Sequence, residues 1–411
     1  ETCVMRSCAL VVPGLHLGGG VPAVAHFLRS IAALDGGWDV KPISVCMSSV
    51  DPESSSLRRP WTILRPARVG ARRWIDIDVP HVGARLGELE FQRYLPRKAL
   101  SALVADCDVI QVVSGSPAWA NAVLGLGKPV SLQVASLAHV ERRMRDGTGQ
   151  GAVAVWRRAM TRITRLMDQR ALRRVDAIQL ENPWMLEHAR RANLGRPRVD
   201  IRYAPPGIDA EVFHPDPSRN PASGPILCVG RLDDPRKNIA LLLEAYALLP
   251  QALRERHRLV LAGAGGPSSS FWQRAAALGV RDQVEFVHRP DQPALIGLYQ
   301  QAAVFALSSD EEGLGVVVLE AMACSVPVVS TRSGGPDGIL TDGIDGRLVP
   351  LDDAPALATA LADVLVDPDA NAVMGRRARA TIERVYAQDV AGRAFLDVWD
   401  RLAIGANPCV A

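Results

Sequence analysis

Paired cysteine spacing is missing from this chain. Cys3, Cys8, Cys46, Cys107, Cys228, Cys324 and Cys409 occur without one Cys-x-x-Cys, and their number is odd. That pattern argues against a disulfide framework and predicts a reduced, cytoplasmic setting in which most cysteines act as small core residues. No charged segment leads into a long apolar stretch, and no run approaches eighteen uninterrupted apolar residues, so neither a signal peptide nor a membrane span is expected. Lysine is nearly absent: it stands only at 41, 98, 128 and 237, so basic character rests on arginine and each lysine is worth attention. Net charge is only +3, which gives no case for wholesale nucleic-acid binding and leaves the distribution of charge as the informative quantity. Short-period repeats and low-complexity tracts are also lacking.

What is present is length and apolar content. At 411 residues, 48% hydrophobic, the chain exceeds the usual single-core limit and is expected to form two domains. Short β-branched runs alternate with helical patterns. Strands are predicted at 8–14, 44–48, 108–113, 129–134 and 176–180, then at 225–230, 258–263, 284–287, 303–308 and 326–331. NIALLLEAYALL and PALIGLYQQA read as two of the helices between them. Strands continuous in Val, Ile and Leu, each followed by a helix, imply α/β architecture with parallel sheets covered on both faces. Two doubly wound domains result, separated near 204–225, a stretch rich in Pro, Asp, Ser and Gly, with ligands expected at the carboxyl ends of the strands.

The stretch EEGLGVVVLEAMACSVPVVST, 311–331, holds Glu312 and Glu320 at the ends of a glycine-led apolar run. A strand ending at AVFALSS, a tight turn at Gly313 and Gly315 and a short helix over VVVLEAMA would aim a helix N-terminus at an anion. Read as one helix, Glu320 lies about 80° beyond two full turns from Glu312, so both carboxylates are expected to face one polar ligand. The alternative makes Glu312 a solvent-exposed first-turn acid and Glu320 a salt-bridged surface residue. ILCVGRLDDPRKNIALLLEA then places Gly230 and Arg231 after a strand and Lys237 at a helix start. Two cations there suit a diphosphate, Arg by forking onto two oxygens and Lys as a point charge. Asp233, Asp234 and Arg236 are expected to form a surface ion-pair cluster that leaves Arg231 and Lys237 free.

A second close-approach loop is expected in the first domain, at Gly18, Gly19 and Gly20, between a strand and an amphipathic helix. Neither G-x-G-x-x-G nor G-x-x-x-x-G-K-[ST] occurs, and GAGG at 263–266 lacks both a third glycine and a downstream acid. Dinucleotide oxidoreductase and P-loop NTPase readings therefore lose their motifs. No His or Asp cluster has metal-ligand spacing, so no metal and no other cofactor is expected.

PPGIDAEVFHP, VGRLDDPRKN, VLAGAGG and EEGLGVVVLEAMACSVPVVSTRSGG stand in the order and at the spacing of the retaining glycosyltransferases of family 4. The chain resembles that family over most of its length, most specifically in 205–350. The resemblance implies the GT-B fold: two doubly wound Rossmann-like domains facing a central cleft. Residues 1–205 would bind the acceptor, 206–385 the nucleotide-sugar, and 386–411 would form a helix crossing back to the first domain. It implies sugar transfer from a nucleotide-sugar, a UDP-sugar before GDP-mannose, to a hydroxyl of a small-molecule or lipid-linked acceptor. Configuration would be retained by front-face attack, with no enzyme nucleophile and with the leaving phosphate itself taking the acceptor proton. Carried over by the resemblance, Glu312 meets the donor sugar and Glu320 the ribose, and Arg231 and Lys237 clamp the diphosphate. Gly313, Leu314, Gly315 and Val316 form the helix-terminal turn beside it, Gly19 and Gly20 the amino-domain glycine loop, and backbone at His288, Arg289 and Pro290 the nucleobase contact.

One position departs from the family. Where its members carry a His that meets the donor sugar, after PVSLQV, this chain has Ala135. His139, one helical turn on, is the candidate replacement in the catalytic role, and His16 before the glycines is another. The same departure leaves open a noncatalytic nucleotide-sugar-binding protein or partner subunit. Between Glu141 and Arg174 ten arginines face Glu141, Asp146 and Asp168, and Val153, Trp156, Met160, Ile163 and Met167 recur at helical spacing. Such a segment either rests on anionic lipid, as a peripheral membrane contact, or buries its stripe in the domain core and solvates its arginines. The basic stretch 58–74 is expected to be a variable acceptor-side loop.

Overall fold

In the computed structural model, residues 5–17, 19–142, 146, 151–196 and 199–406 are described. The chain divides into two compact units, one reaching to Pro206 and resuming at Ala391, the other spanning Gly207–Val390.

The first unit is built on eight strands: β1 (Arg6–Pro13), β2 (Trp38–Val45), β3 (Val69–Trp74), β4 (Ile77–Val82), β5 (Val109–Ser114), β6 (Val130–Val134), β7 (Ala177–Leu180) and β8 (Asp200–Tyr203). Their order is β3-β4-β2-β1-β5-β6-β7-β8, parallel throughout except for the β3–β4 hairpin. Continuous apolar strands arise because both faces are buried. In β1, Ala9 and Val11 join one core cluster while Cys8, Leu10 and Val12 join the other. The second unit holds β9 (Ile226–Val229), β10 (Leu259–Gly263), β11 (Val284–His288), β12 (Val304–Leu307), β13 (Val328–Thr331) and β14 (Gly346–Val349), all parallel, in the order β11-β10-β9-β12-β13-β14. That is the doubly wound order in which strand direction of travel reverses between β9 and β12, and the crevice at that point is where such sheets hold ligands.

The hairpin β3–β4 overlaps the stretch read as a loop, 58–74. Pro80 stands within β4. It is tolerated because β4 pairs with β2 only beyond it, at Ser44↔His81 and Val45↔Val82. Strands β8 and β14, four residues each, were also not predicted.

The helix Gln388–Ala406 belongs to the first unit from Ala391 onward. Ala391, Phe395, Trp399 and Ala403, four apart, enter its core. Phe395 meets Phe27 edge to face at 5.5 Å, Trp399 meets Trp38 at 5.4 Å, and the Trp399 indole N–H donates to Gln111 Oε1 at 2.7 Å. The helix Ala152–Leu172 buries a face shifted from the expected stripe. Met160 is inside together with Ala154, Thr161, Thr164 and Asp168, whereas Val153 and Trp156 face solvent. Asp168 causes the shift: its carboxylate accepts backbone N–H bonds from Ala118 at 2.8 Å and Ala138 at 3.1 Å, which turns that side inward. Gly18 and residues 143–145 and 147–150 of the basic segment lie outside the described residues. No described helix is long and apolar enough to cross a membrane.

Candidate functional site

Lys237, Ser308–Glu312 and the turn into the helix Val316–Ala323 meet at the switch point of the second sheet. After β9 the chain passes through Gly230 and Arg231 into a single helical turn, Pro235–Lys237, and Asn238 in the left-handed region (φ 42) redirects it into the helix Ile239–Leu248. The carboxyl end of β12 is laced to that turn. Ser308 Oγ donates to the carbonyls of Lys237 and Asn238, both at 3.0 Å, the Asp310 amide donates to the Arg236 carbonyl at 2.8 Å, and Asn238 Nδ2 donates to Asp310 Oδ1 at 2.8 Å. Two loops from the reversal point therefore form one rigid cradle.

Inside it, Lys237 Nζ donates to Glu312 Oε1 at 2.6 Å, and Ser309 Oγ donates to the same oxygen at 2.6 Å. Glu312 is only 8% exposed, so it is not the solvent-facing first-turn acid of the alternative reading. Its backbone is strapped at both ends, the amide donating to the Ser333 carbonyl and the carbonyl accepting from Gly335. The helix begins after it, with Gly315 at φ 84 as its cap, so Glu312 and Glu320 are not on one helix and the 80° spacing argument does not apply. Glu320 lies within the helix, where Oε2 accepts from the buried Tyr299 hydroxyl at 2.6 Å. Burial raises its pKa against the lowering effect of that bond. No side chain caps the helix N-terminus, where Leu314 is buried and Val316 opens the first turn beside Gly313. Such an end favours an anion.

Arg231 is 62% exposed on its side chain, but it is not free as expected: its Nη2 lies 3.3 Å from Asp234 Oδ2, and Arg236 shares the same carboxylate at 2.8 Å. Burial raises the Asp234 pKa, but its hydrogen bonds and charge attraction to Arg236 outweigh that and hold it below its ordinary value. GAGG serves close backbone approach. A Cβ at Gly263 would meet the Gly230 carbonyl oxygen at 2.0 Å, and one at Gly265 would meet Asp233 at 2.1 Å. Arg289 follows edge strand β11 in the left-handed region (φ 45), its amide donating to the Gly263 carbonyl, with exposed His288 before it and Pro290 after.

In the first unit, Gly19 caps the helix Gly20–Asp35 at φ 101, a conformation suited to glycine. Nothing among the described residues would touch a Cβ at Gly20, so packing does not require a glycine there. Ala135 follows β6 and its carbonyl accepts from Asn182 Nδ2 at 2.8 Å. His139 lies in the short helix Ala138–Glu141 and lines a cavity of about 60 Å3 with Arg165, Asp168 and His188. Burial, then Arg165 and His188, lower its pKa, so its ring is neutral at neutral pH. Two buried carboxyls went unread in the sequence. Burial pushes Asp168 to about 7 and Glu181, which accepts from Gln133 Nε2 at 2.7 Å, also to about 7.

The fold also assembles a group that has no signature along the chain. Asp51, Glu53 and His81 bring ligand atoms within 4.8 Å of one another. The absence of metal-ligand spacing in the sequence therefore did not extend to space. These atoms are already engaged: His81 Nε2 lies 2.6 Å from Asp51 Oδ2, and Glu53 is ion-paired with Arg72. A cation there would have to displace both contacts.

Residues 211–381 match the family of glycosyl transferases group 1. A D-inositol 3-phosphate glycosyltransferase of Saccharomonospora viridis is 35% identical over 214 residues, 48% of this chain and 49% of that protein. A GDP-mannose-dependent alpha-(1-6)-phosphatidylinositol monomannoside mannosyltransferase of Mycolicibacterium smegmatis is 35% identical over 229 residues, 51% and 56% of the two chains. The chain thus spans about half the length of the curated relatives it matches. Among solved structures, sucrose-phosphate synthase of Thermosynechococcus elongatus superposes with a TM-score of 0.71 at 21% identity, covering 97% of this chain and all of that one. Anabaena HepE in complex with UDP and glucose superposes with a TM-score of 0.68 at 14% identity, covering 96% of this chain and all of that one. The fold is of the GT-B type.

Proposed function

We propose, on the match of residues 211–381 to glycosyl transferases group 1, that this chain is a retaining glycosyltransferase that moves a sugar from a nucleotide-sugar to an acceptor hydroxyl. The observation that carries the reading is the Lys237–Glu312 pair, 2.6 Å apart at the reversal point of the second sheet. Lys237 keeps two further N–H donors for a diphosphate, with Arg231 and the uncapped helix at Val316 beside it. As the nucleoside diphosphate departs, negative charge grows on its oxygens, and these fixed groups stabilise it more in the transition state than in the ground state. The cations answer that charge without a metal. Glu312, anchored by Lys237 and Ser309, addresses the donor sugar, and Glu320 addresses the ribose from its tyrosine-bound position. The donor is a UDP-sugar, with GDP-mannose the rival. The acceptor is a small cyclitol or a lipid-linked molecule, in keeping with the inositol-based acceptors in the relatives' names.

Ala135 favours a second reading, a noncatalytic nucleotide-sugar-binding protein or partner subunit, because a methyl group stands where the resemblance puts a sugar-contacting His. One experiment addresses both. Purified protein is screened by thermal shift, with calorimetric confirmation, against UDP, GDP, ADP, dTDP and their hexose conjugates, and donor consumption is followed with D-inositol 3-phosphate and phosphoinositides present. Binding of one nucleotide class, lost on replacing Arg231 or Lys237, together with donor consumption, supports the enzyme. Binding without consumption transfers support to the second reading, and no binding by folded protein sinks both.

A further inference from the structure

Two histidines and an arginine meet at a small cavity that lies wholly within the first unit. His139 comes from the short helix Ala138–Glu141, Arg165 and Asp168 from the helix Ala152–Leu172, and His188 from the helix Pro183–Ala192, with Leu137 and Leu172 as the apolar part of the wall. The space between them is about 60 Å3. His139 Nδ1 is buried without a hydrogen-bond partner. Among the described residues, the side chains of Arg165 and His188 make no hydrogen bond or ion pair. Asp168 supplies the one carboxylate of the described lining, and it is committed to the backbone. It is 2% exposed, and its two oxygens accept the Ala118 and Ala138 amides at 2.8 and 3.1 Å, the second bond fixing the turn that carries His139.

The charges around this cavity act in one direction. Burial, then Arg165 and His188, lower the His139 pKa, and burial, then Arg165 and Arg191, lower that of His188. Burial raises Asp168 to about 7, with the two amides and Arg142 pulling it down and Glu141 pushing it up. With protein groups alone around them, both imidazoles are neutral at neutral pH, each with one N–H and one lone pair. A buried nitrogen without a partner costs free energy, so the wall favours an occupant that hydrogen-bonds to it. The volume has room for several water-sized oxygens, at ~10–15 Å3 each, which admits a tetrahedral oxyanion and is too small for a sugar ring or a nucleotide. Water would satisfy His139 Nδ1 but would leave the two rings facing Arg165 with no negative charge between them. An anion supplies that charge and favours the protonated form of each ring.

We propose that this cavity binds a compact dianionic oxyanion, phosphate or the phosphate end of a monoester, and takes up protons as it does so. His139 and His188 hold it as imidazolium donors, and Arg165, exposed at the rim, forks onto its oxygens. No covalent bond is made or broken, and the protons come from solvent. As pH falls from 8 to 6 the rings charge more easily and Asp168 loses its opposing charge, so binding tightens across that interval. The site belongs to the first unit alone and does not depend on the glycosyltransferase reading.

The test uses the full chain and sulfate, which stays a dianion over the whole range, so that any pH dependence belongs to the protein. Calorimetry in two buffers of different ionisation enthalpy should show sulfate binding roughly 10-fold or more tighter at pH 6 than at pH 8, with net proton uptake. NMR of histidine-labelled protein should show His139 and His188 turning to imidazolium as sulfate is added at pH 7. His139→Ala and His188→Gln, each removing one titrating ring, should lose most of the gain at low pH, whereas Arg231→Ala, in the second unit, should keep it. Inorganic phosphate and D-inositol 3-phosphate are then compared: the tighter of the two, read by the same imidazolium signals, names the source of the anion. Imidazole signals that ignore sulfate and both phosphates overturn the proposal. So do chloride binding as tight as sulfate binding, and an undiminished gain at low pH in folded His139→Ala. None of these results bears on the nucleotide screen, so a failure here leaves the glycosyltransferase reading standing, and a failure there leaves this site standing.

Discussion

Single side chains carry charge questions that the fold answers differently from place to place. Arg231 is mostly exposed and shares Asp234 with Arg236, so removing it disturbs little of the protein. Arg231→Ala is expected to weaken nucleoside diphosphate binding by about 10- to 150-fold, the roughly 1.5–3 kcal/mol of a charge-assisted bond, and to leave the bare nucleoside unaffected; equal calorimetric losses for both would contradict the clamp. Lys237→Ala should show the same selectivity plus a lower Tm, because it leaves the buried Glu312 without its counter-charge. Glu181 offers a pH test. Its folded pKa of about 7 exceeds the ordinary 4.5, so the folded state binds the extra proton, and stability falls as pH rises from about 4.5 to 7. Glu181→Gln keeps an acceptor for Gln133 and cannot ionise. Its unfolding free energy should exceed the wild-type value by a margin that grows from pH 5 to pH 8, by on the order of 1–3 kcal/mol; a margin that shrinks would refute the burial account.

Two glycines, each at the start of a helix, separate packing from binding. Gly335 abuts the Leu314 carbonyl, where a Cβ would come to 2.2 Å of the oxygen, so Gly335→Ala must push the 312–315 loop and should cost both stability and nucleotide affinity. Gly20 has open space around it at the first position of its helix. Gly20→Ala should hold or raise stability, by about 0.4–1 kcal/mol, while donor affinity drops if the backbone there approaches a phosphate; unaltered affinity would remove Gly20 from the site. Elements of this kind were legible in the sequence wherever burial was two-sided: nine of the ten expected strands match strands over most of their length, and the tenth, 44–48, meets β2 only at Ser44 and Val45, because continuous Val, Ile and Leu suit a sheet covered on both faces. The missed ones fail for local reasons. β4 contains Pro80, β3 (VGARRW) holds a glycine and two adjacent arginines, and β8 (DIRY) and β14 (GRLV) carry charged residues or glycine in place of a continuous apolar run. Local motifs placed their elements well, as at Gly230–Lys237, which does run from a strand into a helix start. Spacing misled where Gly315 broke the helix that the two-carboxylate argument assumed, and the Asp51–Glu53–His81 group was invisible because His81 comes from β4, 30 residues along the chain from Asp51.

At the scale of the whole molecule, the second unit is an insertion within the first. Its ends are clasped, the Ile208 amide donating to the Tyr386 carbonyl at 2.8 Å. With two cores of its own, the 207–390 fragment should fold alone and still bind a nucleoside diphosphate measurably, and an unfolded fragment by circular dichroism would contradict that autonomy. The first unit cannot be cut so simply. Trp399→Ala removes a fully buried indole and orphans Gln111, for an expected loss of about 3–5 kcal/mol in the unfolding of that unit. The same helix sets an order of assembly on the ribosome. The strands of the first unit wait for Phe395 and Trp399, which are made after the whole inserted unit, whereas that unit has every residue it needs before they emerge. During translation the second unit can therefore be completed before the first, and the early strands of the first are the segment most in need of a chaperone.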